Sequence, residues 1–235
     1  MLSKRKNLVA AGALAGAVLL LSGCRLNVDF GDRKQSVATY TVGGGVTALE
    51  AYAEVGDIVI SESGQQEVRV TETRHWGGDD RNIPKTEHPV AGGTLTLRYD
   101  CPGSSNCSVD YRIDIPKGLA VTLESTAGDI TMRSLTGEVN ASAGAGGIEG
   151  NDLGGKSLVA TTGAGEVRVR FATAPGRVEV ETGTGDATVR LPQGSYNVTA
   201  DTGVGEEVVK VTNDPASPNG VSVRTGAGDA KVLPV

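Results

Sequence analysis

A carboxylate recurs about every twenty residues through the C-terminal half of the chain, each time directly after a glycine. The acidic residues of this series are Asp129, Glu166, Asp186, Glu206 and Asp229. Such a column could bind Ca²⁺, which takes roughly six to eight oxygen ligands, or could present a polar surface to a partner. One carboxylate per repeat is sparse for calcium, so we interpret the column as a solvated face and predict no metal site.

Cations follow four residues after most of these acids, at Arg133, Arg170, Arg190 and Lys210. On strands they would point outward like the acids, because side chains alternate between faces. Like charges on neighbouring strands repel each other. The sequence therefore predicts a basic column beside the acidic one, which relieves that repulsion.

A second cluster that could do chemistry comprises His75, Trp76, Asp79 and Asp80. The stretch from Trp76 to Val90 contains Gly, Asp, Asn and Pro, which predicts a long loop. Glycan-cleaving enzymes use paired carboxylates, and this loop is the first place where we would expect a ligand. No nucleophile-elbow or zinc-protease motif occurs. We therefore predict no catalytic residues, no metal and no cofactor.

Cys24 is the residue with the clearest chemistry. Lys4, Arg5 and Lys6 precede an apolar run that is too short for a membrane span, as in an export signal. The run ends in Leu21, Ser22, Gly23 and Cys24, which resembles the lipobox of bacterial lipoproteins. The resemblance implies removal of residues 1–23 and attachment of acyl chains such as palmitate to the Cys24 thiol. We therefore expect an exported protein that is held on a membrane by its lipid.

Cys101 and Cys107 flank a turn-like Pro-Gly-Ser-Ser-Asn segment. Exported proteins meet oxidising conditions, so the sequence predicts a local disulfide. A metal site is the alternative, but neither His75 nor His88 has a spacing that completes a ligand set.

Composition excludes several classes of protein. The 235 residues include 34 glycines but only two Phe and one Trp, and the net charge is −6. Loss of the signal peptide removes three cations and no acids, which makes the net charge −9. A nucleic-acid partner is therefore not expected, and abundant glycine disfavours a helical bundle.

A repeat of about twenty residues must position the charged columns. After each Gly-acid pair comes a strand with alternating apolar residues, for example Val167, Val169 and Phe171. A second alternating strand and a Gly-x-Gly turn complete each repeat. Stacked repeats bury what one repeat cannot, so the sequence predicts an all-β protein, a β-solenoid. We expect the last repeat to leave an exposed edge after Lys231, which Pro234 would blunt.

The predicted domain organisation has three parts. Residues 1–23 are the signal peptide, 24–36 a lipid-anchored tether and 37–235 the solenoid domain. Within the solenoid, 37–125 are β-rich but irregular and are expected to cap the regular repeats of 126–235.

From about Val37 to Val235 the chain resembles the bacterial "putative adhesin" family of unknown function, which is related to toast-rack domains. The matching segments are Ile115-Pro116-Lys117-Gly118, Ser125-Thr126-Ala127-Gly128-Asp129-Ile130 and the repeated Thr-Gly-x-Gly-Asp/Glu motif. The resemblance implies a β-solenoid or β-helix and supplies no catalytic residues.

Three functions remain open at this point. The first is a lipid-anchored, non-catalytic adhesin or surface scaffold of the cell envelope. The second is an accessory module of envelope-stress signalling with a membrane-protein partner, and the third is a glycan-active enzyme. A partner would be an envelope protein or a glycan.

Overall fold

The computed structural model describes residues 33–103 and 106–235. The predicted signal peptide, the lipobox and Cys24 lie outside the described residues. Residues 33–36, which the sequence assigned to the tether, belong to the first strand. Among the described residues, no helix is long and apolar enough to cross a membrane.

Nearly all of the described chain is β-strand, with one 3₁₀-helix at Asp80–Asn82. In chain order the strands are β1 (Arg33–Val42), β2 (Ala48–Val55), β3 (Ile58–Glu62), β4 (Val68–Gly77), β5 (Lys85–Glu87), β6 (Val90–Ala91), β7 (Thr94–Asp100), β8 (Cys107–Ile115), β9 (Ala120–Ala127), β10 (Ile130–Arg133), β11 (Val139–Ala145), β12 (Ile148–Leu153), β13 (Ser157–Ala164), β14 (Val167–Phe171), β15 (Arg177–Thr184), β16 (Ala187–Leu191), β17 (Ser195–Val204), β18 (Glu207–Val209), β19 (Thr212–Asn213), β20 (Gly220–Ala227) and β21 (Ala230–Pro234).

Each regular repeat contributes one strand to each of two sheets. The ten-stranded sheet has the order β1-β4-β8-β3-β10-β12-β14-β16-β21-β18, and the eleven-stranded sheet has the order β19-β17-β20-β15-β13-β11-β9-β2-β7-β5. Neighbouring repeats pair in parallel and in register, as at Leu123, Ala141 and Ala160. This arrangement confirms the predicted β-solenoid. We call each strand-corner-strand unit a coil.

Side chains that alternate inward fill the space between the two sheets. Leu123, Ala141 and Ala160 from one sheet and Ile130 and Ile148 from the other are at most 1% exposed. Burying each large aliphatic side chain contributes roughly 1.5–3 kcal/mol. The many Ala and Val residues keep the core narrow, as the sequence predicted.

The N-terminal part adds irregular strands to one end of this stack. β2 and β3 pair in parallel with β9 and β10 and so form a coil. Beyond them, β4 runs antiparallel between β8 and β1. The predicted irregular half therefore does lie at one end, but it extends the ten-stranded sheet with antiparallel strands.

The last two coils are exchanged relative to chain order. β20 and β21 lie directly beside β15 and β16, and the earlier strands β17 and β18 lie outside them. Our expectation of an exposed edge after Lys231 was therefore wrong. The edge is formed by β17 and β18, whose Asp201, Glu206 and Glu207 are exposed to solvent, and charged side chains discourage strand addition at an edge.

Candidate functional site

The acidic column lies at the corner where the chain passes from one sheet to the other. Most of its aspartates accept a hydrogen bond from the backbone of the next coil. Asp57 Oδ1 accepts from the Asp129 N–H at 2.9 Å, and Asp129 Oδ1 accepts from the Gly147 N–H at 2.7 Å. Asp186 and Asp229 repeat the contact toward Asp229 and Glu206, both at 2.9 Å. The aspartates therefore join the coils.

The glutamates of the column behave differently. Glu166 pairs with Arg168 on its own coil, and Glu206 lies on the edge coil. Lys231 reaches Asp229 at 2.6 Å and Asp186 at 3.6 Å. The Lys231 hydrogen bond and then the Glu206 N–H lower the pKa of Asp229.

The predicted basic column is only partly formed, because Arg133 has Ser61 and Asn151 as its register neighbours. Arg170 and Arg190 are register neighbours. Arg170 binds Asp152 at 2.8 Å, and Arg190 donates to the Pro234 carbonyl at 3.3 Å. The two cations that do pair with the acids, Arg168 and Lys231, each lie two residues after an acid rather than four, because that side chain is closer to the acid along the same face of the strand.

Hydroxyl groups form a second ladder that sequence reasoning missed. Thr162, Thr182 and Thr225 each donate to the carbonyl of a corner glycine in the neighbouring coil at 2.8–2.9 Å, and each is at most 5% exposed. The recurring Thr of the Thr-Gly-x-Gly-Asp motif was the available signal. A buried hydroxyl needs such a partner, so this position also joins the coils.

Within residues 33–103 and 106–235, no three His, Cys, Asp or Glu side chains converge as metal ligands. In the column, one oxygen of most aspartates is already used by a backbone N–H, and the carboxylates are one coil apart.

The structure divides the predicted ligand loop between a strand and a 3₁₀-helix, although His75 and Trp76 line the same cavity. β4 extends to Gly77, so His75 and Trp76 are strand residues, and consecutive strand residues point to opposite faces. Trp76 points inward and is 6% exposed, so the loop predicted from Trp76 to Val90 begins only after Gly77, and β5 interrupts it. Asp79 caps the 3₁₀-helix through the Arg81 N–H, and Asp80 binds Lys34 at 2.7 Å. The Arg81 N–H lowers the pKa of Asp79, and the Lys34 hydrogen bond lowers that of Asp80.

A shallow cavity of about 390 Å³ lies beside His75. Its lining includes Arg33, Val55, Asn106 and Ser108. His75 Nε2 contacts Asp110 Oδ2 at 3.0 Å, and Asp110 Oδ1 accepts from the Asp57 N–H at 3.0 Å. Asp110 is thus the first member of the corner column. The described contacts include no hydrogen bond between Ser108 and His75.

Cys101 and Cys107 form a disulfide at the rim of this cavity, with a Cα–Cα distance of 5.9 Å. Residue 107 begins β8 opposite Trp76, so the bond fixes the start of that strand.

Replacing both cysteines by serine is expected to lower the free energy of unfolding by roughly 2–2.5 kcal/mol, because the unfolded chain loses a short covalent loop. Urea denaturation of the oxidised protein and of the double variant measures this difference. Reduction of the parent with dithiothreitol should give the same decrease. An unchanged midpoint in both would contradict a stabilising bond.

A buried polar cluster lies on the inner face of the N-terminal strands, and no sequence pattern indicated it. Glu72 is 2% exposed and accepts a hydrogen bond from the Tyr40 hydroxyl at 2.6 Å. Tyr111 lies opposite Glu72 on β8, and His88 stacks on Tyr40 with ring centroids 4.3 Å apart. Burial first, and then the Glu72 charge, raise the pKa of both Tyr40 and Tyr111.

Known structures resemble this fold. A protein described as a putative cell adhesion protein from Clostridium sporogenes ATCC 15579 is 17% identical, with 86% of this chain and all of that chain covered and a TM-score of 0.50. Two proteins described as putative adhesins, from Bacteroides fragilis NCTC 9343 and Parabacteroides merdae ATCC 43184, are 12% and 11% identical to this chain. Each match covers 85% of this chain and 97% or 96% of the other, with TM-scores of 0.38 and 0.36. The first likeness agrees with the solenoid described above.

No curated protein matches the sequence significantly. The family model Toastrack DUF4097 matches residues 103–232, which include β8 to β20 and most of β21. This match spans more than half of the chain and contains every regular Thr-Gly-x-Gly-Asp/Glu repeat. The chain therefore belongs to the Toastrack DUF4097 family.

Proposed function

We propose that this protein is a non-catalytic, lipid-anchored envelope protein that presents its solenoid as an adhesive or scaffolding surface. One observation carries the proposal: the repeated motif is used for joining coils. Its threonine donates to the neighbouring coil, its glycines press against that coil, and its aspartate accepts a backbone N–H from it. The motif thus builds a surface, and the outward strand positions vary from coil to coil.

The position of the anchor supports the same function. Cys24 precedes Arg33, the first described residue, by nine residues, and nine extended residues span about 30 Å. A lipid on Cys24 would hold the N-terminal end of the solenoid within that distance of the membrane. The solved structure described as a putative cell adhesion protein adds a relative of similar fold to this argument.

The Cys24→Ala variant is expected to lose its lipid and to move almost completely from the membrane fraction to the soluble envelope fraction. Two acyl chains anchor a protein stably, whereas the net charge of −9 gives no attraction to anionic lipid. Labelled palmitate and fractionation measure the change, with Cys107→Ser as the matched control that keeps the lipid. A Cys24→Ala protein that stays on the membrane after processing would contradict the anchor.

In-cell cross-linking of the lipidated protein, followed by mass spectrometry, tests the surface function. Capture of wall polymer, of several surface proteins or of further copies of this chain supports the scaffold or adhesin. Capture of one dominant membrane or regulatory protein overturns it in favour of a signalling module.

A further inference from the structure

The outer edge of β1 is open in the described part of the chain. β1 ends the order of the ten-stranded sheet and pairs there only with β4. The N–H of Gly77 donates to the Asn106 carbonyl, so the odd-numbered residues of β4 bond to β8 and the even-numbered ones to β1. Their partners on β1 are also even-numbered, such as Lys34 and Ser36. The backbone N–H and C=O groups of the odd-numbered residues of β1 therefore face the open edge.

This edge lacks the features that protect the other end of the stack. A long edge strand with few charges and no proline accepts a further strand readily. β1 is ten residues long, contains no proline and carries charges only at Arg33 and Lys34. The edge coil at the opposite end instead exposes Asp201, Glu206 and Glu207. The edge of β1 is therefore the one that needs a cover.

The sequence directly before β1 has the pattern of the missing strand. Residues 26–30, which precede the described part of the chain, read Leu-Asn-Val-Asp-Phe, and only Gly31 and Asp32 separate them from Arg33. Two β-type runs joined by Gly-Asp predict a hairpin with a type I′ or II′ turn. A two-residue turn also keeps the segment beside the edge at a high effective concentration, which favours it over a second copy of the chain.

The hydrogen bonds of the predicted hairpin match those that β1 leaves open. A two-residue turn makes Phe30 and Arg33 a hydrogen-bonded pair, and every second pair after it is hydrogen-bonded as well. Gln35 and Val37 are the next residues of β1 to bond. All three are odd-numbered, as the residues that face the open edge are. The turn length and the bonding pattern of β4 lead independently to the same register.

The side chains on the inner face fit this register. Ser36 is 8% exposed, and its hydroxyl has no hydrogen-bond partner among the described residues. Asn27 would lie directly opposite, at a non-hydrogen-bonded position where the Cα atoms are about 4.5 Å apart, and its amide can bond to the hydroxyl. Asp29 would lie opposite Lys34, on the other side from Asp80, which Lys34 already binds at 2.7 Å. The pairing thus supplies a partner for a buried hydroxyl and a second carboxylate for a lysine.

We propose that residues 26–30 form a strand on the open edge of β1, joined to it by a turn at Gly31 and Asp32. The lipid on Cys24 is then held beside β1 rather than at the end of a tether. This inference deepens the proposed function and rests on it for the lipid itself, because it assigns how the anchor is joined to the solenoid.

The pairing also places the apolar residues of the segment on the side that carries the lipid. Leu26, Val28 and Phe30 alternate with the inward residues and share their face with Cys24. That face is the outer face of the ten-stranded sheet. Apolar side chains beside an acyl anchor add to membrane binding at the bilayer surface. The anchored protein would therefore rest this part of its outer face on the membrane.

A disulfide trap in the lipidated protein tests the register. Asn27→Cys combined with Ser36→Cys places two thiols on opposite residues of a non-hydrogen-bonded pair. Val28→Cys combined with Ser36→Cys is the matched control, because its thiols would point to opposite faces. We expect mild oxidation to close the first pair within one chain roughly tenfold more completely than the second, as measured by mass spectrometry of peptides. Equal closure of both pairs, or closure of neither, overturns the pairing.

Amide hydrogen exchange, resolved by residue, tests the same edge without new cysteines. The N–H groups of Gln35 and Val37 should exchange at least roughly tenfold more slowly than that of Thr41, which lies beyond the added strand. Gly31→Val should remove this protection, because a branched residue disfavours the turn. Gly64→Val, at an open position without a left-handed φ, should preserve it. Equally fast exchange at all three N–H groups in the parent overturns the proposal.

A second copy of the chain on this edge would give a different result. It would protect Thr41 as well, would link Ser36→Cys between two chains and would make exchange depend on protein concentration. These outcomes overturn the inference in favour of a dimer. Each variant is checked for its lipid first. A protein that carries the lipid but shows no pairing overturns this inference alone, whereas a parent protein without the lipid overturns the proposed anchor.

Discussion

Gly128→Ala is expected to destabilise the solenoid by about 3–5 kcal/mol, enough to unfold many domains of this size. The backbone at Gly128 has φ of +148°, which side chains rarely adopt. A Cβ there would also overlap the carbonyl oxygen of Gly56 in the neighbouring coil. Hydrogen bonds to the adjacent coils hold the backbone at both Gly128 and Gly56, so neither segment can shift without a large energetic cost.

Three control glycines separate the effect of the left-handed φ from the effect of the close contact between coils. Gly220 has neither a left-handed φ nor a neighbour within 4 Å, Gly118 has only the φ, at +75°, and Gly137 has only the close contact, with the Leu119 carbonyl. Alanine should change stability within about 1 kcal/mol at Gly220 and cost about 1 kcal/mol at Gly118. It should cost more at Gly137. Urea denaturation midpoints measure the series, and equal losses at all four positions would show that close coil packing is not what these glycines provide.

The repeat, its strands and its glycine corners could be predicted because each depends on residues close in sequence. Alternating Val residues define the inward face of a strand, and Gly-x-Gly marks a corner whichever coil comes next. The local pair Cys101 and Cys107 is of the same kind. These features do not require knowledge of which coils are neighbours.

The order of the last coils could not be predicted because the repeats carry the same pattern. Thr202 and Thr225 both donate to a corner glycine of the coil beside them, so either coil fits next to β15 and β16. The difference lies in outward charge. Glu206 and Glu207 are exposed on the edge coil, where a charged strand costs little and blocks further pairing.

The sequence shows which members of the column are aspartate and which are glutamate. This difference decides the partner of each side chain, although all of them carry the same charge. Aspartate has the reach to accept the N–H of the next coil, as Asp129 does from Gly147, whereas Glu166 binds a cation of its own coil. Reading both residues as equivalent acids hid this difference in their partners. Glu72 was hidden for another reason: it occupies an inward position of β4 that the alternation assigns to apolar residues.

Stability is expected to fall steeply above pH 10 because of the two buried tyrosines beside Glu72. The pKa of Tyr40 and of Tyr111 is raised above the usual value of 10.0 in the folded state, by burial first and then by the Glu72 charge. Below the pKa of an unfolded tyrosine neither state is ionised, and the full stability of the fold is present. Above that pKa only the unfolded chain ionises, so the free energy of unfolding falls as the pH rises. At pH 11.5 each tyrosine should therefore have removed about 2 kcal/mol.

Phenylalanine variants of these two tyrosines should differ in stability at neutral pH but share a smaller loss of stability at high pH. Tyr40→Phe removes the donor that Glu72 uses and should cost about 1.5–3 kcal/mol at pH 7. The Tyr111 hydroxyl has no hydrogen-bond partner among the described residues, so Tyr111→Phe should be neutral or slightly stabilising there. Each variant should lose less stability than the parent between pH 10 and 11.5, as measured by urea denaturation at each pH.

Tyr52→Phe is the comparison variant, because Tyr52 is only partly buried, on the outer face of β2. Burial and then the Glu50 charge also raise the pKa of Tyr52, but its exposure to solvent should make the effect of Tyr52→Phe smaller than that of the two buried variants. If Tyr40→Phe and Tyr111→Phe instead follow the parent, ionisation of the buried pair is not what destabilises the fold at high pH. If they flatten the curve, the N-terminal end depends on a polar cluster rather than on the apolar stacking of the other coils. That end carries β1, so alkaline or mutational loss of the cluster should release the N-terminal strands first.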